Sequence, residues 1–97
     1  MRVISRSALK AAAEKHPRAA EELEVWYRRV RAASWADFTD LREDFRTADL
    51  YGNCTIFDIR RNEFRLITWV NYKRQSVFVR AFLTHADYDR EGWKNDC

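Results

Sequence analysis

The sequence predicts an α+β fold: two N-terminal helices packed on a small, twisted, antiparallel β-sheet, with a short C-terminal helical segment. Three observations carry this. Leu23, Trp26, Tyr27 and Val30 fall at i, i+3, i+4 and i+7, the apolar stripe of an amphipathic helix. Residues 64–70 and 76–83 are runs of β-branched and aromatic residues separated by the polar stretch 71–75, the pattern of a hairpin. Only two glycines and one proline occur in 97 residues, so regular elements should be joined by short connections within a single domain.

Taken in order, Arg2-Val3-Ile4 is long enough for one strand. Ser5 or Ser7 can cap a helix whose body, residues 9–15, is rich in strong helix formers. His16-Pro17 ends it, and Pro17 suits the first position of a second helix, where its missing N–H costs nothing. In that helix acidic residues come early and arginines late, as the helix dipole favours. Trp35, Phe38, Leu41 and Phe45 mark a shorter helical stretch beginning near Ser34. Residues 49–53 read as a turn. Residues 54–59 alternate, with Thr55, Phe57 and Ile59 opposite Cys54, Ile56 and Asp58. In the hairpin, Phe64, Leu66, Thr68 and Val70 oppose Arg65, Ile67 and Trp69, and Val77, Val79, Ala81 and Leu83 oppose Phe78, Arg80 and Phe82. Both strands are thus apolar on two faces, which requires cover on both. Thr84 is the expected cap of the C-terminal helical segment, with Asp87 at its third position.

The composition, 46% hydrophobic and 34% charged, is that of a globular chain. No apolar run approaches the roughly 20 residues of a membrane span, and residues 1–6 lack the apolar core of a secretory signal, so a soluble cytoplasmic protein is expected. Cys54 and Cys97 are too few for a disulfide framework, and with no CxxC and no histidine pair at helical spacing, neither a metal site nor another cofactor is expected. The formal charge of +3 is uneven. Residues 1–59 balance ten Lys/Arg against ten Asp/Glu. Residues 60–80 carry six Lys/Arg against Glu63 alone, and residues 81–97 are net −2. The excess on the hairpin is what a phosphate-facing surface needs, although solvated cations on a hairpin are also ordinary.

The chemistry-bearing candidates gather in residues 60–89. His85 follows the second hairpin strand; an imidazole titrates near pH ~6.5 and can act as acid or base, or simply cap a helix. Tyr88 lies one helical turn on, able to donate to a phosphate, stack on a base, or pack. Asp89 or Asp87 can orient His85. Arg65 and Arg80 interrupt apolar strands; a guanidinium there suits a charge-gaining phosphorane, and for Arg65 the alternative is an ion pair with Asp58 or Asp89. If the strand register allows, the two share a sheet face, and guanidinium groups and imidazole converge on one pocket. Arg60, Arg61 and Asn62, with Lys73 and Arg74, are the candidates for holding RNA backbone. His16 reads as a helix-end residue without a catalytic role.

Val3-Ile4-Ser5-Arg6 followed by a helix and His16-Pro17, then Trp26-Tyr27, Gly52-Asn53 ahead of Phe57-Asp58-Ile59, the run from Asn62 to Ile67, and above all Leu83-Thr84-His85-Ala86-Asp87-Tyr88-Asp89 resemble the HigB-type toxins of the RelE/ParE group. The likeness runs in order along almost the whole chain. It implies a RelE-like fold and a ribosome-dependent mRNA endoribonuclease of a type II toxin–antitoxin system, acting by metal-free acid–base chemistry. Its expected partners are the ribosome, mRNA and a HigA-like helix-turn-helix antitoxin. Two alternatives remain at this point: a ParE-like poison that inhibits DNA gyrase without catalysis, and an inactive nucleic-acid-binding homologue. Relatives often carry glycine at the position of Arg61, so here the turn gains a cation.

Overall fold

A computed structural model describes residues 1–97. The order of elements is β1 (Arg2–Ile4), α1 (Arg6–Lys15), a 3₁₀ turn (Pro17–Ala19), α2 (Ala20–Ala32), α3 (Phe38–Asp44), β2 (Asp49–Tyr51), β3 (Cys54–Ile59), β4 (Phe64–Asn71), β5 (Ser76–Thr84), α4 (His85–Asp89) and a terminal 3₁₀ turn (Gly92–Asp96). The sheet order is β1-β5-β4-β3-β2. The α+β class and the 64–83 hairpin are as the sequence implies. The sheet, however, is mixed rather than purely antiparallel, because β1 lies parallel to β5 with Val3 opposite Val77. Three helices and strands β2–β4 intervene between the two, ample chain for the long connection that a parallel neighbour requires. Residues 49–51, which read as a turn, form edge strand β2 and pair with β3 across the Gly52-Asn53 turn.

The helix layer seals one sheet face. Leu23, Trp26 and Val30 of α2 are buried, as their spacing demands, against Phe57, Ile59, Phe64, Leu66 and Val77. Trp26 and Phe45 meet Phe57 edge-on at 5.3 and 5.0 Å, the favoured aromatic geometry. Trp35 is buried with its indole N–H donating to Asp44 Oδ2 at 2.7 Å. That bond closes the loop ahead of α3, whose N-cap is Asp37, accepting from the Asp40 amide at 3.0 Å. The short helix therefore starts later than its apolar pattern suggests. Pro17 opens the 3₁₀ turn that leads directly into α2.

One irregularity reassigns the faces of β5. The register runs Ile67↔Ala81, then Thr68↔Val79, leaving Arg80 as the extra residue of a bulge. A bulge breaks the period of two. Val77 and Val79 face the helices, and so does Phe82, whereas Ala81 and Leu83 turn to the other face with Ile67. Strict alternation along residues 77–83 is thus corrected.

The second face is covered by the chain's own C-terminus. Tyr88, Trp93 and Cys97 pack on Cys54, Ile56 and Ile67. Tyr88 and Trp93 stack at 4.9 Å, the Trp93 indole donates to the Tyr88 carbonyl, and Cys97 is disulfide-bonded to Cys54. The Asn53 amide donates to the Cys97 carbonyl, and Gly52, with φ +56°, leaves room where a Cβ would strike that carbonyl. The cysteines, too few to suggest a framework, instead close a single long loop.

Two outcomes follow from this packing. In the chain-entropy view a crosslink spanning 43 residues contributes about 4 kcal/mol. Reduction is therefore expected to lower urea stability by up to that amount, and Cys97→Ala to abolish the difference between reducing and oxidising buffer. The Tyr72 hydroxyl is buried without a hydrogen-bond partner, and burial, helped by the Asp37 charge, raises its pKa to about 12. Because the unfolded phenol ionises near pH ~10, the unfolded state loses its proton first, so stability should fall as pH rises from about 10 to about 12. Tyr72→Phe should remove that alkaline loss and, by deleting an unsatisfied group, stabilise the protein by about 1 kcal/mol.

Candidate functional site: the junction of β5 and α4

The site residues are placed by the end of the central hairpin. Phe64 pairs with Thr84, and the His85 amide donates to the Glu63 carbonyl at 3.0 Å, so the head of α4 is tied to the β3–β4 turn. Thr84 caps α4 by accepting from the Asp87 amide at 3.2 Å, as its sequence position implies. Asp87 is thereby committed to the cap region, and its carboxylate lies 3.7 Å from Arg90. His85 is 56% exposed, and its Nε2 sits 3.2 Å from Asp89 Oδ2, one turn along the helix. Asp89 is therefore the carboxylate that orients the imidazole. Nδ1 makes no hydrogen bond within the chain, so a contact at Nε2 leaves it free.

His85 opens on a cleft of about 480 Å³ walled by Lys15, His16, Arg18, Glu63 and Thr84. Glu63 is clamped between Arg18 at 2.9 Å and Arg60 at 2.9 Å, which leaves Lys15 as the wall's uncommitted cation. His16, at the end of α1, packs against Phe64 at 5.1 Å and Phe82 at 5.7 Å. Sequence reasoning set His16 aside. Its proximity to His85 depends on crossing from α1 to the far end of the hairpin, for which no local pattern exists.

Arg65 lies elsewhere. Its side chain is only 12% exposed, its Nε is 3.0 Å from Asp58 Oδ1, and its guanidinium covers the Tyr88 ring at 4.9 Å. It faces the same side of the sheet as Leu83, its cross-strand neighbour, and does not line the His85 cleft. Arg80 lies on that second face too, 4.0 Å over the Trp69 indole, beside a separate hollow lined by Asp87, Arg90 and Trp93. Arg65 and Arg80 thus share a face, as expected, but the convergence of both with His85 on one pocket is corrected. The strand pleat sends Arg65 and the bulge sends Arg80 away from the helix side, where His85 opens. Tyr88, one turn from His85, points with Arg65 into the second face.

The basic turns also separate. Arg60, Arg61 and Asn62 form the β3–β4 turn beside His85. Arg60 and Arg61 have φ of +52° and +59°, left-handed values that favour glycine. The turn is held against α2 by the Arg60 amide donating to Glu22 and by the Arg60 guanidinium donating to the Arg18 carbonyl. Arg61 makes no ion pair and is exposed beside a separate hollow that it lines with Glu21, Glu22 and Val25. Lys73 and Arg74 cap the opposite end of the hairpin, and nine residues of β5 at ~3.3 Å each put them roughly 25–30 Å from His85.

The Arg65–Asp58 pair, mostly shielded from water, ties β4 to β3 beneath Tyr88. Asp58→Ala is expected to cost about 2–3 kcal/mol in urea unfolding by leaving a guanidinium with little hydration. The double replacement Asp58→Leu with Arg65→Met should recover most of that loss.

A family model described as the HigB toxin, the RelE-like toxic component of a toxin–antitoxin system, matches residues 19–91, every element from α2 to α4. The mRNA interferase HigB of Escherichia coli O6:H1 is 26% identical over 93 residues, covering 93% of this chain and 90% of that protein. The mRNA interferase toxin HigB of Escherichia coli K12 and the mRNA interferase HigB of Shigella flexneri are each 28% identical over 92 residues, covering 92% of this chain and 88% of theirs. The matched span contains the whole hairpin, the β3–β4 turn and His85, and membership implies an antitoxin partner. This chain belongs to the HigB toxin family, the RelE-like toxic components of toxin–antitoxin systems.

Proposed function

We propose that this protein is a cytoplasmic endoribonuclease toxin that cuts mRNA on the translating ribosome and is restrained by a HigA-like helix-turn-helix antitoxin. The observation that carries this is His85 at the head of α4, oriented by Asp89 and opening on a cation-walled cleft. The near end-to-end match to relatives named mRNA interferases supports the same reading.

In this reading His85 Nδ1 takes the 2′-hydroxyl proton as the 2′-oxygen attacks phosphorus, and Asp89 stabilises the imidazolium that results. Lys15 attracts the phosphate that gains charge in the transition state. Arg65 and Tyr88 serve as positioning residues: the Asp58-held guanidinium supports the Tyr88 ring, which fixes the second side of α4. Arg60 and Asn62 shape the turn that delivers Arg61 to RNA backbone. Lys73, Arg74 and Arg80, outside the cleft, are assigned to backbone contacts with ribosomal or messenger RNA. The ribosome supplies the alignment of substrate that so small and open a cleft does not, so free RNA should be cut slowly.

His85→Ala should lower ribosome-dependent cleavage by about 10²–10⁴-fold while leaving thermal unfolding unchanged, since the side chain is exposed. Mapping new RNA 5′ ends after induction in cells tests this directly. Full cleavage by the His85→Ala variant, or DNA breaks without mRNA loss on induction of the wild type, would overturn the reading.

A further inference from the structure

The His85 cleft holds a second imidazole. His16 terminates α1 and is followed by Pro17, and its ring is tilted against the stacked rings of Phe64 and Phe82. Neither ring nitrogen makes a hydrogen bond within the chain, and neither belongs to the buried side-chain atoms left without a partner. The ring thus packs on the phenyl rings and lines the cleft with its nitrogens unpaired. Packing of this kind holds a ring in one orientation without occupying its proton-transfer atoms. That is the environment an acid–base group needs, and one that a merely space-filling residue would satisfy better as phenylalanine or leucine.

The two histidines are also differently equipped. His85 has a carboxylate on Nε2, which suits proton acceptance at Nδ1. His16 makes no ion pair within the chain, so its ring is free to donate to a bound substrate. Lys15, adjacent to His16, carries an uncommitted charge, and Arg18 is turned onto Glu63. A phosphodiester drawn to this wall would lie between the two rings.

We propose that His16 is a second catalytic residue, the general acid that complements His85 in the cleft. This rests on the nuclease reading above and names the group that reading leaves unassigned. His85 accepts the proton of the 2′-hydroxyl, and the bond from the 2′-oxygen to phosphorus forms. The bond from phosphorus to the 5′-oxygen breaks, and that oxygen takes its proton from His16. The products are a 2′,3′-cyclic phosphate and a 5′-hydroxyl end, with His85 protonated and His16 neutral, to be reset through solvent. No oxidant, reductant or further reactant enters.

The test uses the full chain, bacterial ribosomes programmed with mRNA, and two variants, His16→Phe, which keeps the aromatic packing, and His16→Gln. At least one of them is expected to fold as wild type does, which thermal unfolding checks. Each folded variant should cut ordinary mRNA about 10²-fold or more slowly than wild type. The same mRNA carrying a single 5′-bridging phosphorothiolate at the cut site has a thiolate leaving group that needs no proton. On that substrate the His16 variants should return to within a few-fold of wild type, while His85→Ala should stay slow. Near-wild-type cutting of ordinary mRNA by a folded His16 variant, or equal slowing on both substrates, would overturn the proposal while leaving the nuclease reading intact. Failure of the wild type itself to cut either mRNA would instead overturn both.

Discussion

The antiparallel pairing of β4 with β5 is the constraint on which the rest of the structure depends. These strands form the middle of the five-stranded sheet, and each supplies apolar residues to both faces. Their shared end sets Thr84 opposite Phe64 and ties His85 to the Glu63 carbonyl. The start of α4, the β3–β4 turn and the end of α1 therefore meet at one place. A one-residue slip would exchange the two faces, burying Arg65 under the helices. The bulge at Arg80 makes that register unique. It lets the helix-facing residues change from Val79 to Phe82 and turns Ala81 and Leu83 toward the C-terminal segment.

Two faces then need two kinds of cover. The helix side is a conventional aromatic and aliphatic core, with Trp26, Phe57 and Leu66 sealed from solvent. The second side is closed by a short tail whose own hydrophobic content is small: Tyr88, Trp93 and Cys97. A tail this short offsets little chain entropy by burial alone. It is held by additional means, the Cys54–Cys97 link, the indole and carbonyl hydrogen bonds, and cations laid on rings. Arg65 over Tyr88 and Lys94 over Tyr51 at 4.7 Å are examples, and Lys94 also pairs with Glu91 at 2.9 Å, which raises its pKa. Four of the large hydrophobics stay exposed, Leu50, Tyr51, Trp69 and Val25. Leu50 and Tyr51 lie on edge strand β2, while Trp69 carries Arg80 above it.

The charged side chains divide into those that hold the scaffold and those left free to meet a substrate. Arg60 and Arg18 share Glu63 while fastening the β3–β4 turn to the helices. Arg65 and Asp58 do the same between strands. Lys15, Arg61, Lys73 and Arg74 have no carboxylate partner, and of the four Lys15 borders the His85 cleft. The basic excess in residues 60–80 is thus a poor guide to the reaction taken residue by residue. Its most conspicuous members, Arg65 and Arg80, are committed to a carboxylate and to an indole.

Much of the fold was legible in the chain because it rests on short-range pattern. The 3.6-residue stripe of α2, the two hairpin runs, the Thr84 cap and the His16-Pro17 break each express local sterics and hydrogen bonding within a few residues. So does the placement of His85 at a strand end, and so do the motifs of the HigB-type resemblance. Tertiary structure decided what depends on distant partners: β1 docking parallel to β5, residues 49–51 recruited as an edge strand, the bulge at Arg80, and Cys97 reaching Cys54. It also decided the membership of the site, moving Arg65 and Arg80 to the far face and bringing His16 beside His85. The physical reason is that side-chain type and spacing determine which face of an element a residue occupies. Which other residues share that face is set only when sheet register and helix packing are satisfied together.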